Sequence, residues 1–363
     1  MTDKTKIAIR TLRLRIKDKH AKTLRQMSLN VNTVWNFCNE LSFKHFLLKN
    51  KFMSAYKLQE YTNGVTKEGM DLHSTTVQAI TDEYATRRKQ AKKAKLKWRK
   101  SYGSARSLGW IPFKASAIRY GQGQIHYGKH HFNVWDSYGL HLYDLSVGSF
   151  SEDAQGHWYV NIVATPKQEP PRQFPLQLDT AVGVDLGLTG FLTTSDGWTV
   201  ACPRYYRKME DKLAAAQRAK NRKRVKKIHA KIKNQRKDFH HKLSTTMSRV
   251  FSMIFVGDVC PSELIENTPY AKSVSDAGWA QFKTMLQYKC DRTGAWYREV
   301  NEAFSTQTYS ACHARSGPKG QAGLGVREWT CSDCGAMHHR DTNAAKNILT
   351  CGRARLEKGI LNL

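Results

Sequence analysis

The sequence predicts an α/β chain in two parts, and three observations predict it. Short runs alternate apolar and polar residues near the start and again at about 140–165, with helical spacing between them. The stretch PKQEPPRQFP, residues 166–175, holds four of the nine prolines and reads as a linker. Beyond it come a strand meander, helices, strand, helix, strand and helix, an α/β order compatible with an RNase H-like sheet. The first part reads as a β-barrel or sheet with helices inserted after its first strand, and the domain boundary falls near Leu178.

In chain order, Ile7 and Ile9 share one face of an opening strand, and Leu12, Leu14 and Ile16 follow. The phase slip between Ile9 and Leu12 predicts a bulge or bend. From about Ala21 to Lys49, Leu24, Met27, Val31, Val34, Cys38 and Leu41 recur three or four apart, a helix. A second helical stretch, about Ser74 to Lys100, starts amphipathic at Val77, Ile80 and Tyr84 and ends in the basic face RRKQAKKAKLKWRK. A glycine-containing loop region leads to the strand-like pieces YGLHLYDLSVGSF and HWYVNIVAT.

The second part opens with AVGVDLGLTGFLTTSDGWTV: a buried strand, a glycine-rich turn, a second strand, an Asp-Gly turn and a third strand, hence an antiparallel meander. Residues 204–256 contain no Gly or Pro, and Ile228, Ile232, Phe239 and Leu243 keep helical spacing there. SMIFVGDV is the next buried strand, GWAQFKTMLQYKC an amphipathic helix and WYREVNEAF another strand. A last helix runs from about Thr342 to Leu349.

Lys and Arg number 59 against 30 acids in 363 residues, a net charge of +29, which points to a polyanionic partner. No apolar run approaches the roughly 20 residues that span a bilayer, so no membrane partner is expected. The start lacks the apolar core of a secretory signal, and only Cys331 and Cys334 of eight cysteines form a close pair. Thiols or metal ligands, and a cytoplasmic location, are therefore expected. The other faces of the 204–243 helices are covered by cations, among them Arg222, Lys223, Arg224, Lys226, Lys227, Lys231 and Arg236. A solvated helix pair is one account. Phosphate contact is the other, because same-sign charges repel unless neutralised. Lys97, Trp98 and Arg99 are expected to join that contact. Trp98 and Trp110 either stack on bases or pack in the core.

Phosphodiester hydrolysis by two divalent cations needs several carboxylates converging on metals roughly 4 Å apart. Asp185 sits in an apolar run with Val182 and Val184, where a buried acid is costly without a partner. Alternatively it opens the turn DLGLTG. Asp341 is either a second such acid or the N-cap of a helix, and Asn343, Ala344 and Ala345 would allow that helix to pack closely.

GVDLGLTGFLTTSDG, LQYK, VNEAFSTQTYSACHARSGPKG and VREWTCSDCGAMHHRDTNAAKNIL together resemble the TnpB proteins of bacterial insertion sequences. These are compact RNA-guided DNA endonucleases related to type V CRISPR effectors. The resemblance covers most of the second part, and in the first it rests on domain order and basic character. It implies a wedge-like β-barrel at 1–178 with a helical recognition insertion at about 20–100. It then implies an RNase H-like (RuvC) nuclease domain at 179–363, with a basic hairpin at about 204–250 and a zinc ribbon at about 305–336. It also implies a guide RNA encoded by the element, a double-stranded DNA target with an adjacent motif, and two Mg²⁺ ions.

Asp185 matches the first RuvC acid and Asp341 the last. The common pattern places the middle Glu where this sequence has Gly257, which leaves Asp258 and Glu302. Alternation along the strand turns Asp258 away and favours Glu302. Cys312, Cys331 and Cys334 match three zinc cysteines, while the fourth position holds Tyr309 and His313 stands beside Cys312. The ribbon either holds structural Zn²⁺ or is a metal-free set of three thiols. His339 stands where the family usually has Asp. The resemblance implies Mg²⁺-dependent, RNA-guided DNA cutting. The alternatives are a nuclease-inactive, RNA-guided repressor and a zinc-ribbon DNA-binding factor that works without RNA.

Overall fold

Leu12 and Leu14 turn inward from Arg10–Arg15 (β1), which pairs antiparallel along its whole length with a later strand. The computed structural model describes residues 9–168, 180–267, 269–318 and 322–357, and it divides into two compact units, Met1–Glu169 and Pro170–Leu363. The boundary expected near Leu178 lies outside the described residues, as does Ile7. Ile9 precedes β1 and is exposed, so the phase slip marks the start of the strand; β1 itself pairs without a bulge.

In the first unit β1 is followed by α1 (Ala21–Lys49), α2 (Ala55–Thr62) and α3 (Ser74–Ala91). Then come β2 (Trp110–Phe113), β3 (Ile118–Gly121), β4 (Gln124–Tyr127), β5 (His130–Asn133), β6 (Tyr143–Glu152) and β7 (Trp158–Pro166). One sheet has the order β1-β7-β6-β2 and a second the order β3-β4-β5. The helices thus enter after the first strand. α1 buries Leu24, Met27, Val31, Val34 and Cys38, one apolar stripe facing the core.

α3 stops at Ala91 instead of running to Lys100, because Lys92 takes a left-handed conformation with φ 50°. The following chain is held in non-helical form by three asparagines of α1. Asn39 exchanges hydrogen bonds with the Leu96 backbone at 2.8 and 2.9 Å, and Asn36 does so with the Arg99 backbone at 3.0 and 2.9 Å. Asn32 Oδ1 accepts from Arg99 Nε at 2.7 Å. Side-chain amides replace the helical ladder for this segment's backbone, and hydrophobic spacing carries no sign of that.

The second unit contains β8 (Ala181–Leu186), β9 (Gly190–Thr194), β10 (Thr199–Ala201), α4 (Glu210–Arg218), α5 (Arg222–Val250) and β11 (Met253–Gly257). It continues with α6 (Pro261–Asn267), α7 (Ala271–Ala277), α8 (Trp279–Thr293), β12 (Trp296–Val300), β13 (Glu328–Thr330), β14 (Met337–His339) and α9 (Arg340–Glu357). Its main sheet has the order β10-β9-β8-β11-β12. β8, β9 and β10 form the expected antiparallel meander, and β8, β11 and β12 run parallel. Val182, Val184 and Leu186 on one face of β8 share a core with Leu243 and Met247 of α5 and Phe282 and Leu286 of α8. α9 covers the opposite face. No helix among the described residues is long and apolar enough to cross a membrane.

Candidate active site

Strand alternation fixes where Asp185 goes. With Val182, Val184 and Leu186 facing the α5–α8 core, Gly183 and Asp185 face α9. A Cβ at Gly183 would overlap the Ala345 carbonyl oxygen, so glycine lets the helix lie directly on the strand. Ala344 and Ala345 are fully buried there, as expected from their size. Asn343 does something different. Its Oδ1 accepts from Ser310 N at 2.8 Å and its Nδ2 donates to Thr308 O at 2.7 Å, tying the segment after β12 to α9.

α9 starts at Arg340, so Asp341 stands within its first turn and does not cap it. This packing brings Asp341 into electrostatic range of Asp185. The Asp185 carboxyl is pushed up to about 8, by burial first, then by Asp341 and Glu302, with Arg340 and Arg327 pulling the other way. Arg327 holds Asp341 at 3.2 Å and donates to Thr189 Oγ1 at 2.9 Å.

Glu302 follows β12 by two residues, and its carboxyl is pushed up to about 7 by burial and then by Asp258, against the pull of Lys283. A Cβ at Gly257 would overlap Glu302 Oε2, so the carboxylate occupies the room a side chain at the end of β11 would need. Glu302 Oε2 is buried without a hydrogen-bond partner. Asp258 is exposed, and its Oδ1 accepts the Glu302 backbone N–H at 3.2 Å. The structure therefore brings both Asp341 and Glu302 into electrostatic range of Asp185 and sets Asp258 beside Glu302. Lys283 and Arg327 went unnoticed in the sequence, because a lone cation carries no signal until its acid is placed.

Carboxylate oxygens that repel one another, one of them buried and unpartnered, are a donor set that suits hard divalent cations. A second donor set lies beside the β13–β14 hairpin. The sulfurs of Cys312, Cys331 and Cys334 lie within 4.8 Å of one another, and His313 is not part of the group. The Cys331 thiol is drawn down to about 7, chiefly by the Ser316 hydroxyl. Tyr309 is fully buried, and its hydroxyl donates to the carbonyls of Trp329, at 3.1 Å, and Ala336. That phenol is committed to backbone, which leaves three soft ligands and no protein fourth among the described residues.

α5 packs Ile228 and Ile232 against Leu213 and Ala216 of α4. Arg222, Lys223, Arg224, Lys226, Lys227 and Lys231 are exposed around that stripe. Arg236 turns back to donate to Ser275 O at 2.8 Å. In the first unit Lys97 and Trp98 are exposed. Arg99 is spent on Asn32 and on the Leu108 carbonyl at 2.7 Å, and Trp110 packs edge-on against Trp35.

Two family models match the second half of this arrangement. The one described as "Probable transposase" matches residues 164–267, and the one described as "Cas12f1-like, TNB domain" matches residues 279–348. A Streptomyces pristinaespiralis protein named "Putative RNA-guided DNA endonuclease" is 36% identical over 220 residues, 56% of this chain and 52% of its own length. An Escherichia coli (strain K12) protein of the same name with the suffix InsQ is 26% identical over 232 residues, 56% of each chain. The "TnpB-like protein L79" of Acanthamoeba polyphaga mimivirus is 28% identical over 198 residues, 47% of this chain and 37% of its own. The chain is thus similar, over its second half, to proteins named as TnpB-like and as RNA-guided DNA endonucleases.

The chain spans about half the length of the curated relatives it matches. A solved Cas12f1–sgRNA–target DNA complex aligns over 94% of this chain and 98% of that one, at 14% identity and a TM-score of 0.40, too low to specify a shared fold. The transposase segment contains Asp185 and the basic α4–α5 hairpin. The TNB segment contains Glu302, the three cysteines and Asp341.

Proposed function

We propose that this protein is a TnpB-type RNA-guided DNA endonuclease, cutting in a RuvC-type site formed by Asp185, Glu302 and Asp341 on an RNase H-like sheet. The observation that carries the reading is a buried acid flanked by two others: Glu302 fills the room left by Gly257, and both Glu302 and Asp341 raise the Asp185 carboxyl. Acids held together at such a cost call for bound cations.

Asp185, on the central strand, and Asp341, in the first turn of α9, would hold Mg²⁺ from two elements that pack directly on one another. Glu302 would supply the third carboxylate from the far side of β11, with Asp258 fixing its backbone and Lys283 offsetting the local negative charge. Two Mg²⁺ ions would supply an activated water and stabilise the departing oxygen. Arg327 and Arg340 limit the build-up of negative charge around Asp185.

A guide RNA encoded by the element would read the DNA by base pairing, while protein contacts go to backbone and to a short adjacent motif. The exposed cations of α5 from Arg222 to Lys231, with Lys97 and Trp98 of the first unit, would supply backbone contacts. Cys312, Cys331 and Cys334 would hold a structural Zn²⁺ whose fourth ligand comes from solvent. The names of the Streptomyces and Escherichia relatives support the same reading.

The test is to sequence RNA that copurifies with the full chain, then to incubate the complex with a matched duplex and Mg²⁺. Cutting of the matched duplex, lost in Asp185→Ala with DNA binding retained, supports the reading. Guide-free binding without cutting overturns it.

A further inference from the structure

In the first unit, the loop before α2 and the C-terminal end of α3 border a cavity of about 510 Å³ whose lining includes Phe52, Ser54, Arg88, Lys89, Lys92 and Lys93. Arg88 is only 8% exposed. Its Nη2 donates to the Met53 carbonyl at 3.1 Å and its guanidinium lies 4.0 Å from the centroid of the Phe52 ring. Its Nε and Nη1 are buried without a hydrogen-bond partner. None of the four cations pairs with an acid among the described residues, whereas their neighbours Arg87 and Lys95 pair with Glu83 and Glu40, each at 2.6 Å.

A guanidinium buried with idle donors is costly, and three further cations around the same opening add repulsion. The C-terminal end of a helix favours cations, which accounts for lysines near the last carbonyls of α3. It does not account for burying Arg88 with two idle nitrogens. The ring of Phe52 is stacked on Phe46 at 4.5 Å on one side and covered by Arg88 on the other, so the cavity offers charge in place of a stacking surface. Ser54, the N-cap of the eight-residue α2, lines the same cavity, and the start of a helix favours an anion.

We propose that this cavity seats a backbone phosphate of a nucleic-acid strand, with Arg88 as its floor and Lys89, Lys92 and Lys93 around its mouth. The inference rests on the reading that the protein handles nucleic acid, but it needs neither the acids of the second unit nor cutting. It adds to the expected contacts a site whose central cation is buried in place beforehand.

The test measures binding of the full chain to inorganic phosphate, to a single-stranded RNA and to a duplex DNA across a salt series. Lys89→Ala/Lys92→Ala is the surface variant, and Arg88→Gln, checked by its melting curve, the buried one. For at least one polymer the double variant is expected to reduce the slope of log affinity against log salt by about one per lysine, uniformly across sequences. Inorganic phosphate should bind the wild type at least ten-fold tighter than either variant. A slope change with RNA alone assigns the phosphate to RNA, and one with DNA alone assigns it to DNA. Unchanged slopes with both polymers, or equal phosphate binding by the double variant, overturn the site. A protein that cuts normally with an unchanged slope loses the cavity and keeps the nuclease. One that never cuts yet shows the slope change does the reverse.

Discussion

The carboxylate of Glu302 stands in the room that a side chain at Gly257 would require. The two positions belong to neighbouring parallel elements: Gly257 ends β11, and Glu302 follows β12 by two residues. An acid reaching in from the second element and a glycine on the first are therefore one arrangement, and neither can change alone.

Gly257→Ala is expected to displace the Glu302 carboxylate and cut the cleavage rate by about 10²-fold, a loss consistent with a 1 Å misplacement of a catalytic group. In Gly257→Glu combined with Glu302→Ala the acid moves to the other strand, and at least part of that loss should return. Single-turnover cleavage of a matched duplex measures both.

Asp185 sets a pH dependence on folding. Its carboxyl is raised to about 8 in the folded chain, so the folded chain holds this proton more tightly than the unfolded one. Stability from this group is therefore intact below the ordinary carboxylate range near pH 4 and declines as pH rises towards 8. Without divalent cations, Asp185→Asn should melt higher than the wild type at pH 8, on the order of 3 °C higher for about 1 kcal/mol. The difference should vanish near pH 4, which thermal denaturation followed by circular dichroism would show.

Gly183→Ala places a methyl group against the Ala345 carbonyl oxygen, where backbone rather than a movable side chain must give way. A loss of about 1–3 kcal/mol is expected. Urea denaturation should show it, with cleavage falling as α9 and Asp341 move off the strand.

The three-thiol cluster should carry about one zinc per chain, measured by mass spectrometry of the metal, and Cys331→Ser should abolish it. Tyr309→Phe should leave zinc in place and still cost about 1–3 kcal/mol, because two buried carbonyls lose their donor.

Where burial is periodic, the sequence reported it directly. α1 runs from Ala21 to Lys49, as its apolar spacing predicts, and α5 buries Ile228, Ile232 and Leu243. Asp185 stood out as an acid inside a run of buried valines, with a turn-opening role equally open, and the packed sheet turns it towards α9. What stayed hidden depended on long-range partners. The non-helical path of Leu96 to Arg99 after α3 is held by three asparagines far back in α1, and α2 with strands β2 to β5 is too short for its spacing to stand out. Gly257 looked like a missing acid, and only the packed sheet shows it as space for Glu302.

The most direct measurement compares single-turnover cleavage of a guide-matched duplex, at saturating Mg²⁺, by the wild type, Glu302→Gln and Asp258→Asn. Cutting by the wild type, a loss of at least about 10³-fold in Glu302→Gln and less than about ten-fold in Asp258→Asn is the expected result, with DNA binding unchanged throughout. Glu302→Gln cutting at the wild-type rate, or a wild type that binds its guide and target and never cuts, would contradict the assignment.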